Sequence, residues 1–362
     1  MAGNSISGTI TAIATAFPNQ VRSNAWWEDH YPELVANARE ATLARLWADF
    51  EDGQASVYDR AIARYLADPF RGTVERRVMS PGMTGQQLEL AAARAALAAG
   101  DIDPASVDLI LLAALRPDSL VVGDAAFLVR ELGVRAPAIS FETACSSALV
   151  GFSLAGDLVR AGRYRRILVI VCCTYTRDVE LGDSFSWFLG DGAAAFVVEP
   201  SEHSGILGAH TIPTTETCGA FAYQPTVVDG AATLRLRANR EIAGRSIRDN
   251  SELYLRRCVD GALSEAGLGL GDVDFLVCNT PTAWFAQFCA DALAIEQTRT
   301  VDGYPRFANC GPSLWPSNLA LALRDRSIAP GDLVLGFSIG SVSTASSVVF
   351  RAGEIAVGEV EI

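Results

Sequence analysis

Two segments of this 362-residue chain repeat one plan, and this repetition restricts the fold more than any other feature. Residues 91–118 and 255–282 each contain an amphipathic helix, a glycine-containing turn, a short acidic loop and an apolar strand ending in polar residues. A second repeated unit joins a buried strand to a later strand rich in glycine, serine and alanine. In the first half GRYRRILVIVCCTYT is followed by GDGAAAFVVEP, and in the second half APGDLVLGFSIGS is followed by STASSVVFRAG. Because such strands are apolar on both faces, each must be covered on both sides. The sequence therefore predicts an α/β protein with two related halves, residues 1–200 and 201–362.

One segment of the first half, residues 23–77, departs from this plan. Its apolar residues have helical spacing, and acidic and basic residues alternate at its remaining positions. One interpretation is an inserted helical cap with no further role. The other is that the insertion roofs a pocket with Trp26, Trp27 and Trp47.

Charge and cysteine spacing restrict the partners and the compartment. The 29 basic and 42 acidic residues give a formal net charge of −13, which disfavours nucleic acid and anionic membrane surfaces as partners. The sequence contains no lysine, which excludes a lysine Schiff base. The eight cysteines form no CxxC pair and no metal-binding spacing, and no apolar run approaches the roughly 18 residues of a membrane helix. We therefore expect a cytoplasmic protein without a bound metal.

The segment FETACSSALVGFSLAG, residues 141–156, places Cys145 where a strand passes into a helix of small residues. One interpretation is a nucleophile, since the positive end of a helix dipole lowers the pKa of a thiol and backbone N–H groups there can face an oxyanion. The other is that Cys145 only fills space as a small hydrophobic residue. The cysteines inside predicted strands and helices are expected to do only the latter: Cys172, Cys173, Cys258, Cys278 and Cys289.

These segments carry a resemblance to a known family. TACSSAL resembles the nucleophile motif of β-ketoacyl synthases, and the duplicated plan is similar to the thiolase-fold superfamily. The layout and GDGAAAFVVE, residues 190–199, are most similar to the ketoacyl-acyl-carrier-protein synthase III branch, over nearly the whole chain apart from residues 23–77. The resemblance implies a thiolase-like five-layer α-β-α-β-α fold, a homodimer, and a cysteine that takes an acyl group from coenzyme A or acyl carrier protein. It implies no cofactor beyond these thioester substrates.

The same resemblance implies roles for individual residues. The nucleophile is Cys145, and the catalytic asparagine of the family corresponds to Asn309 in FANCGPSLWP. The oxyanion hole is expected from the N–H groups of Cys145 and Gly340, and Arg177 corresponds to an arginine near the coenzyme phosphates or the carrier protein. Two aromatic residues of the loop at 181–192 are expected to line a hydrophobic substrate pocket: Trp187 and Phe188.

The chain departs from the family at its catalytic histidine. The matching segment, DVDFLVCNTPTAWF, places Asn279 at that position, and a small shift in alignment would place Thr280 or Thr282 there instead. An amide still donates a hydrogen bond, but it does not titrate near neutral pH and cannot act as a base. The three histidines of the chain lie in other segments: His30, His203 and His210.

Three functions are compatible with these residues. The first is an acyltransferase or atypical condensing enzyme of specialised natural-product biosynthesis, in which Cys145 passes an acyl group to an acceptor that is already nucleophilic. Asn309 and Asn279 would orient this second substrate. The second is a catalytically silent partner, or acyl-binding subunit, of an active synthase. The third, a cysteine hydrolase, requires a base that activates water. Three carboxylates near the motifs are candidate surrogate bases: Glu142, Asp178 and Asp183.

Overall fold

The computed structural model describes residues 6–48, 55–228, 230–340 and 343–362. The strands are β1 (Ser7–Phe17), β2 (Val21–Ser23), β3 (Glu75–Arg77), β4 (Leu109–Ala114), β5 (Ala138–Ser140), β6 (Ile167–Thr174), β7 (Asp191–Ser201), β8 (Gly205–Pro213), β9 (Phe221–Val228), β10 (Ala231–Ala238), β11 (Phe275–Cys278), β12 (Leu333–Ile339), β13 (Thr344–Arg351) and β14 (Ala356–Glu361). The helices are α1 (Asn24–His30), α2 (Pro32–Ala48), α3 (Val57–Ala63), α4 (Gly85–Ala99), α5 (Ala125–Leu132), α6 (Ser147–Arg160), α7 (Arg240–Ala266), α8 (Phe285–Leu293), α9 (Tyr304–Phe307) and α10 (Leu314–Arg324).

Two sheets and three helical layers form the core. One sheet has the order β14-β1-β7-β6-β4-β5, and the other has the order β11-β12-β13-β8. Helices α6 and α10 lie between the sheets, α4 and α5 cover the outer face of the first, and α7 and α8 cover the outer face of the second. The predicted five-layer α-β-α-β-α fold is confirmed. None of the described helices is both long and apolar enough to cross a membrane.

The apolar strands follow the predicted logic of burial on both faces. In β4, Leu109 and Leu111 contact the layer between the sheets, while Ile110 and Leu112 contact α4 and α5. The repeated plan also holds in detail, because a short 3-10 turn leads from α4 into β4 and another leads from α7 into β11.

The small residues of α6 let this helix lie close against the sheets. A Cβ atom at Gly8 of β1 would lie 2.5 Å from the Cα of Gly156 in α6, a distance too short for any side chain. Helix α6 therefore lies close against β1, and the turn that contains Cys145 leads into its first residue, Ser147.

Sheet membership follows the two predicted halves except at the chain end. Strand β14 returns to the first sheet and pairs with β1 in parallel, with Ala12 opposite Ala356. The last residues of the second half therefore complete the sheet of the first half. Strand β5 forms the opposite edge of this sheet, because among the described strands it pairs with β4 alone.

The inserted segment folds as α1, α2, α3 and the β2–β3 ribbon. Trp27 is fully buried against Trp187, and Trp26 packs on Trp27. The side chain of Trp47 lies outside the described part of the structure. The tryptophans that are described hold the insertion onto the body of the protein, which is the role expected of a helical cap.

Candidate active site

Cys145 lies in a 3-10 turn, Ala144–Ser146, at the start of α6. Ala144 has a φ of 54°, a conformation that is uncommon outside glycine and places a sharp bend next to the thiol. The Cys145 carbonyl oxygen accepts hydrogen bonds from Ser338 Oγ at 2.7 Å and from Asn279 Nδ2 at 3.3 Å. Burial raises the pKa of the thiol to about 11. This loss of hydration opposes the lowering of the thiol pKa that a helix dipole would give.

A cavity of about 330 Å³ opens beside the thiol, and its lining is mostly apolar. Tyr58 and Arg71 of the inserted segment form part of this lining. The insertion therefore does contribute to a pocket, but through these two residues and not through Trp26 or Trp27. The aromatic residues of the lining are Tyr58, Tyr175, Phe185, Phe188, Phe221, Trp284, Phe285 and Tyr304.

Asn309 lines the same cavity as Cys145, and the backbone fixes its orientation. Its N–H donates to Phe188 O at 2.9 Å, and its carbonyl oxygen accepts from Gly190 N–H at 2.9 Å. Its side-chain oxygen accepts from Gly311 N–H at 2.9 Å, which leaves the amide NH₂ group without a hydrogen-bond partner among the described residues. This NH₂ group can therefore donate to a substrate carbonyl.

Asn279 is fully buried and is absent from the described lining of the cavity. Its NH₂ group donates to Gly311 O at 2.7 Å and to Cys145 O at 3.3 Å, so both donors serve the backbone. Its Oδ1 atom is buried without a partner. The prediction that Asn279 orients the second substrate is therefore wrong for this conformation, because its amide holds two loops together.

Gly340 follows β12 and lies against the nucleophile turn, where a Cβ atom would be 2.4 Å from Thr143 O. Its N–H donates to Thr344 O at 2.7 Å. This N–H is therefore engaged within its own loop and is not free to receive an oxyanion, which contradicts the sequence-based prediction. The N–H of Cys145 contacts its own sulfur.

Arg177 lines a different cavity, of about 650 Å³, and not the one at Cys145. Its guanidinium forms an ion pair with Asp118 and donates to Thr174 Oγ1 at 2.7 Å and to Arg116 O at 3.1 Å. These bonds give Arg177 a structural function, and they favour this function over the contact with a donor molecule that the resemblance implies.

Only one of the two aromatic residues predicted for the pocket lies in the described lining of the cavity. Phe188 lines the cavity at Cys145. Trp187 is fully buried in a cluster with Trp27 and Phe70, and its carbonyl oxygen accepts a 2.5 Å hydrogen bond from Arg76 Nε. The prediction for Trp187 is wrong because its side chain is fully buried in this cluster and does not line the cavity at Cys145.

The candidate surrogate bases do not line the cavity at Cys145, and neither does any histidine among the described residues. Glu142 accepts hydrogen bonds from Ala144 N–H at 2.5 Å and from Ser147 Oγ at 3.2 Å. Asp178 pairs with Arg116 at 2.8 Å, and Asp183 caps a 3-10 turn through Phe185 N–H at 3.0 Å.

Sequence reasoning missed the polar residue beside the thiol, Tyr175, and named another polar residue of the cavity, Thr282, only as an alternative. The Tyr175 hydroxyl lies 3.9 Å from Cys145 Sγ. Thr282, which an alignment shift would have selected, lines the cavity with a buried hydroxyl that has no partner in the described structure. Tyr175 follows β6, a central strand parallel to β4 and β5, so the signal for it was its position at the same sheet edge as Cys145.

Comparison with known proteins adds to this geometry. The family model for 3-oxoacyl-acyl-carrier-protein (ACP) synthase III matches residues 139–214, and the model for its C-terminal part matches residues 263–352. The chain is 32% identical over 290 residues to a β-ketoacyl-acyl-carrier-protein synthase III of Alkalilimnicola ehrlichii, covering 77% of this chain and 88% of that protein.

Solved structures show the same fold. The 3-oxoacyl-(acyl carrier protein) synthase III of Pseudomonas aeruginosa superimposes with a TM-score of 0.78 at 20% identity, covering 96% of this chain and 98% of that chain. The priming β-ketosynthase of the R1128 polyketide biosynthetic pathway superimposes with a TM-score of 0.76 at 19% identity, covering 96% of both chains. Together with the curated relative, these matches show that the chain belongs to the ketoacyl-acyl-carrier-protein synthase III family.

Proposed function

We propose that this protein is an acyltransferase or atypical condensing enzyme that forms an acyl thioester on Cys145 from acyl-coenzyme A or an acyl carrier protein. The observation that carries the proposal is the shared apolar cavity of Cys145 and Asn309, with the Asn309 NH₂ group free to donate. The Cys145 sulfur attacks the donor thioester carbonyl, and the carbon–sulfur bond of the donor breaks. The proton lost by Cys145 is balanced by the proton taken up by the departing thiol.

The acceptor is proposed to bring its own nucleophile. The described lining of the cavity contains neither a histidine nor a carboxylate that could serve the acceptor as a base. An amine, an activated hydroxyl or a stabilised carbanion such as a β-keto thioester meets this requirement. A role in specialised biosynthesis is supported by the similarity to the R1128 priming ketosynthase.

A chase experiment tests this choice of acceptor. Protein carrying an acyl group on Cys145 is mixed separately with a malonyl thioester, a β-keto thioester, an amine and an alcohol, and loss of the acyl mass is followed over time. We expect faster loss with the amine or the β-keto thioester than with the malonyl thioester. Preferential reaction with the malonyl thioester would instead indicate an ordinary decarboxylating condensation.

A catalytically silent subunit is the second candidate function. The raised pKa of the Cys145 thiol and the engaged N–H of Gly340 favour it, because both features slow acylation in this conformation. A protein of this kind would bind an acyl thioester in the apolar cavity without forming a covalent adduct. Covalent acylation therefore separates the two candidates.

We propose that the protein is a homodimer that pairs through β5. This strand is a sheet edge, and its Ile139 is 49% exposed. The neighbouring loop exposes three consecutive apolar side chains, with Leu120 at 63%, Val121 at 105% and Val122 at 72%. An open edge beside an apolar patch suits a second copy, since β5 can pair with itself about a twofold axis.

We also propose a reducing compartment, such as the cytoplasm. All eight cysteines are free thiols in the structure. A nucleophilic cysteine has to remain reduced to accept an acyl group, which supports this compartment.

A further inference from the structure

One side chain contacts the Cys145 sulfur directly. Tyr175 lies immediately beyond β6, and its hydroxyl oxygen is 3.9 Å from Sγ, within the longer range of hydrogen bonds to sulfur. In the described part of the chain, no other side chain forms a hydrogen bond with this sulfur. Tyr175 also lines the cavity that Cys145 and Asn309 share.

The surroundings of Tyr175 fix the ring and keep the hydroxyl protonated. Tyr175 is 8% exposed and packs in a cluster with Cys173, Val179 and Leu189. Burial raises the pKa of the phenol well above its usual value. A neutral phenol can donate a hydrogen bond to a thiolate, and such a bond lowers the pKa of the thiol.

We propose that Tyr175 is a catalytic residue, whose hydroxyl donates a hydrogen bond to the Cys145 sulfur as the thiolate forms. The Sγ–H bond breaks and its proton passes to solvent, the Sγ–acyl bond forms, the donor carbon–sulfur bond breaks, and the departing thiolate takes up a proton. Tyr175 keeps its own proton throughout. The inference rests on the proposed function for the identity of the reaction and on the contact between Tyr175 and Cys145 for the role of Tyr175.

The experiment measures the thiol without any acyl donor. Wild-type protein and Tyr175→Phe are alkylated with iodoacetamide between pH 7 and pH 10, and modification of Cys145 is followed by peptide mass spectrometry. Loss of a hydrogen bond to a charged group is expected to raise the thiol pKa by about one to two units. The smaller thiolate fraction lowers the alkylation rate, and the higher nucleophilicity of a more basic thiolate offsets part of this loss. The alkylation rate at a fixed pH is therefore expected to fall about three- to fifteenfold.

The matched control is Tyr223→Phe. Tyr223 packs against the same cluster as Tyr175, but its hydroxyl has no partner in the described structure and it does not line the cavity. We expect this variant to keep the wild-type alkylation rate at every pH. An unchanged rate in folded Tyr175→Phe would overturn the proposal.

A second variant covers the case in which Tyr175→Phe does not fold. Fluorotyrosine at position 175 keeps the hydroxyl and makes it a stronger donor, so the alkylation rate is expected to rise above that of wild type. An unchanged or lower rate would overturn the proposal.

Acylation separates this proposal from the proposed function. If no thioester acylates the protein while alkylation still depends on Tyr175, the proposed function fails and the hydrogen bond from Tyr175 to the thiolate is supported. Equal acylation by wild type and Tyr175→Phe would overturn the catalytic role and leave the proposed function intact.

Discussion

The side-chain amide of Asn279 donates a 2.7 Å hydrogen bond to the carbonyl oxygen of Gly311. The same NH₂ group reaches the carbonyl of Cys145, so one buried side chain joins the end of β11, the nucleophile turn and the loop that carries Asn309. Asn279, which the sequence match aligns with the catalytic histidine of the family, therefore has a positioning role in this chain.

Replacing Asn279 tests this positioning role. Asn279→Ala leaves the Gly311 carbonyl without its donor, which is expected to lower the free energy of unfolding by about 1–3 kcal/mol. In Asn279→Asp the carboxyl group must be protonated to donate this hydrogen bond, so its pKa is raised in the folded state. The hydrogen bond therefore stabilises the variant below about pH 4, and this stability is lost as the pH rises through the raised pKa. Urea unfolding should show a larger deficit for Asn279→Asp at pH 8 than at pH 5, while exposed Asn19→Asp shows none. An Asn279→Asp protein as stable as wild type at pH 8 would contradict this role.

The acyl pocket is expected to change its selectivity when Phe188 is shortened. Phe188→Ala enlarges the apolar cavity, and one methylene in such a pocket is worth about 1–3 kcal/mol. The ratio of acylation rates with longer and shorter acyl thioesters should therefore rise by about tenfold or more. Trp187→Phe, at the adjacent buried position, should lower the melting temperature without changing this ratio. Equal shifts in both variants would place Phe188 outside the acyl site.

Arg177 is expected to act on stability and not on donor binding. Arg177→Ala removes the partner of Asp118, whose side chain is 17% exposed, and should lower the free energy of unfolding by about 1–3 kcal/mol. The apparent KM should change equally for acyl-coenzyme A and for an acyl-pantetheine thioester that lacks the nucleotide. A rise confined to acyl-coenzyme A would instead support contact with the coenzyme phosphates. Exposed Arg135→Ala is the control for loss of one charge.

The proposed dimer is tested with charges at the sheet edge. Ile139→Arg and Val122→Arg are expected to convert the wild-type dimer into a monomer, because an unpaired charge would be buried in the interface. Light scattering after size-exclusion chromatography measures the mass. Val227→Arg, at an equally exposed valine on β9, should remain dimeric. A wild-type monomer, or edge variants that stay dimeric, would contradict pairing through β5.

The fold could be predicted from the sequence because its signals are local and repeated. The duplicated helix–turn–strand plan predicted α4 followed by β4 and α7 followed by β11, and the apolar runs predicted the buried strands. The return of β14 to the first sheet was not predicted, since its half-buried residues carry no signal for which sheet they join.

The site was less predictable because it depends on which way individual groups point. Sequence position alone does not show that the Gly340 N–H turns towards Thr344 or that Trp187 faces the core beside Phe188. The thiol pKa likewise depends on the balance of burial and helix dipole, and only the three-dimensional packing sets the burial. Cys145 and Asn309 line one cavity, and the sequence could single them out because each belongs to a recognisable motif.

Covalent acylation of Cys145 is the most direct test of the account. Intact-protein mass spectrometry follows incubation with a panel of acyl-coenzyme A and acyl carrier protein thioesters, beside Cys145→Ala and the control Cys310→Ala, which removes another buried thiol. The account predicts a gain of one acyl group in wild type and Cys310→Ala, none in Cys145→Ala, and peptide mapping of the group to Cys145. No adduct from any donor on folded protein, or an adduct that persists in Cys145→Ala, would contradict it.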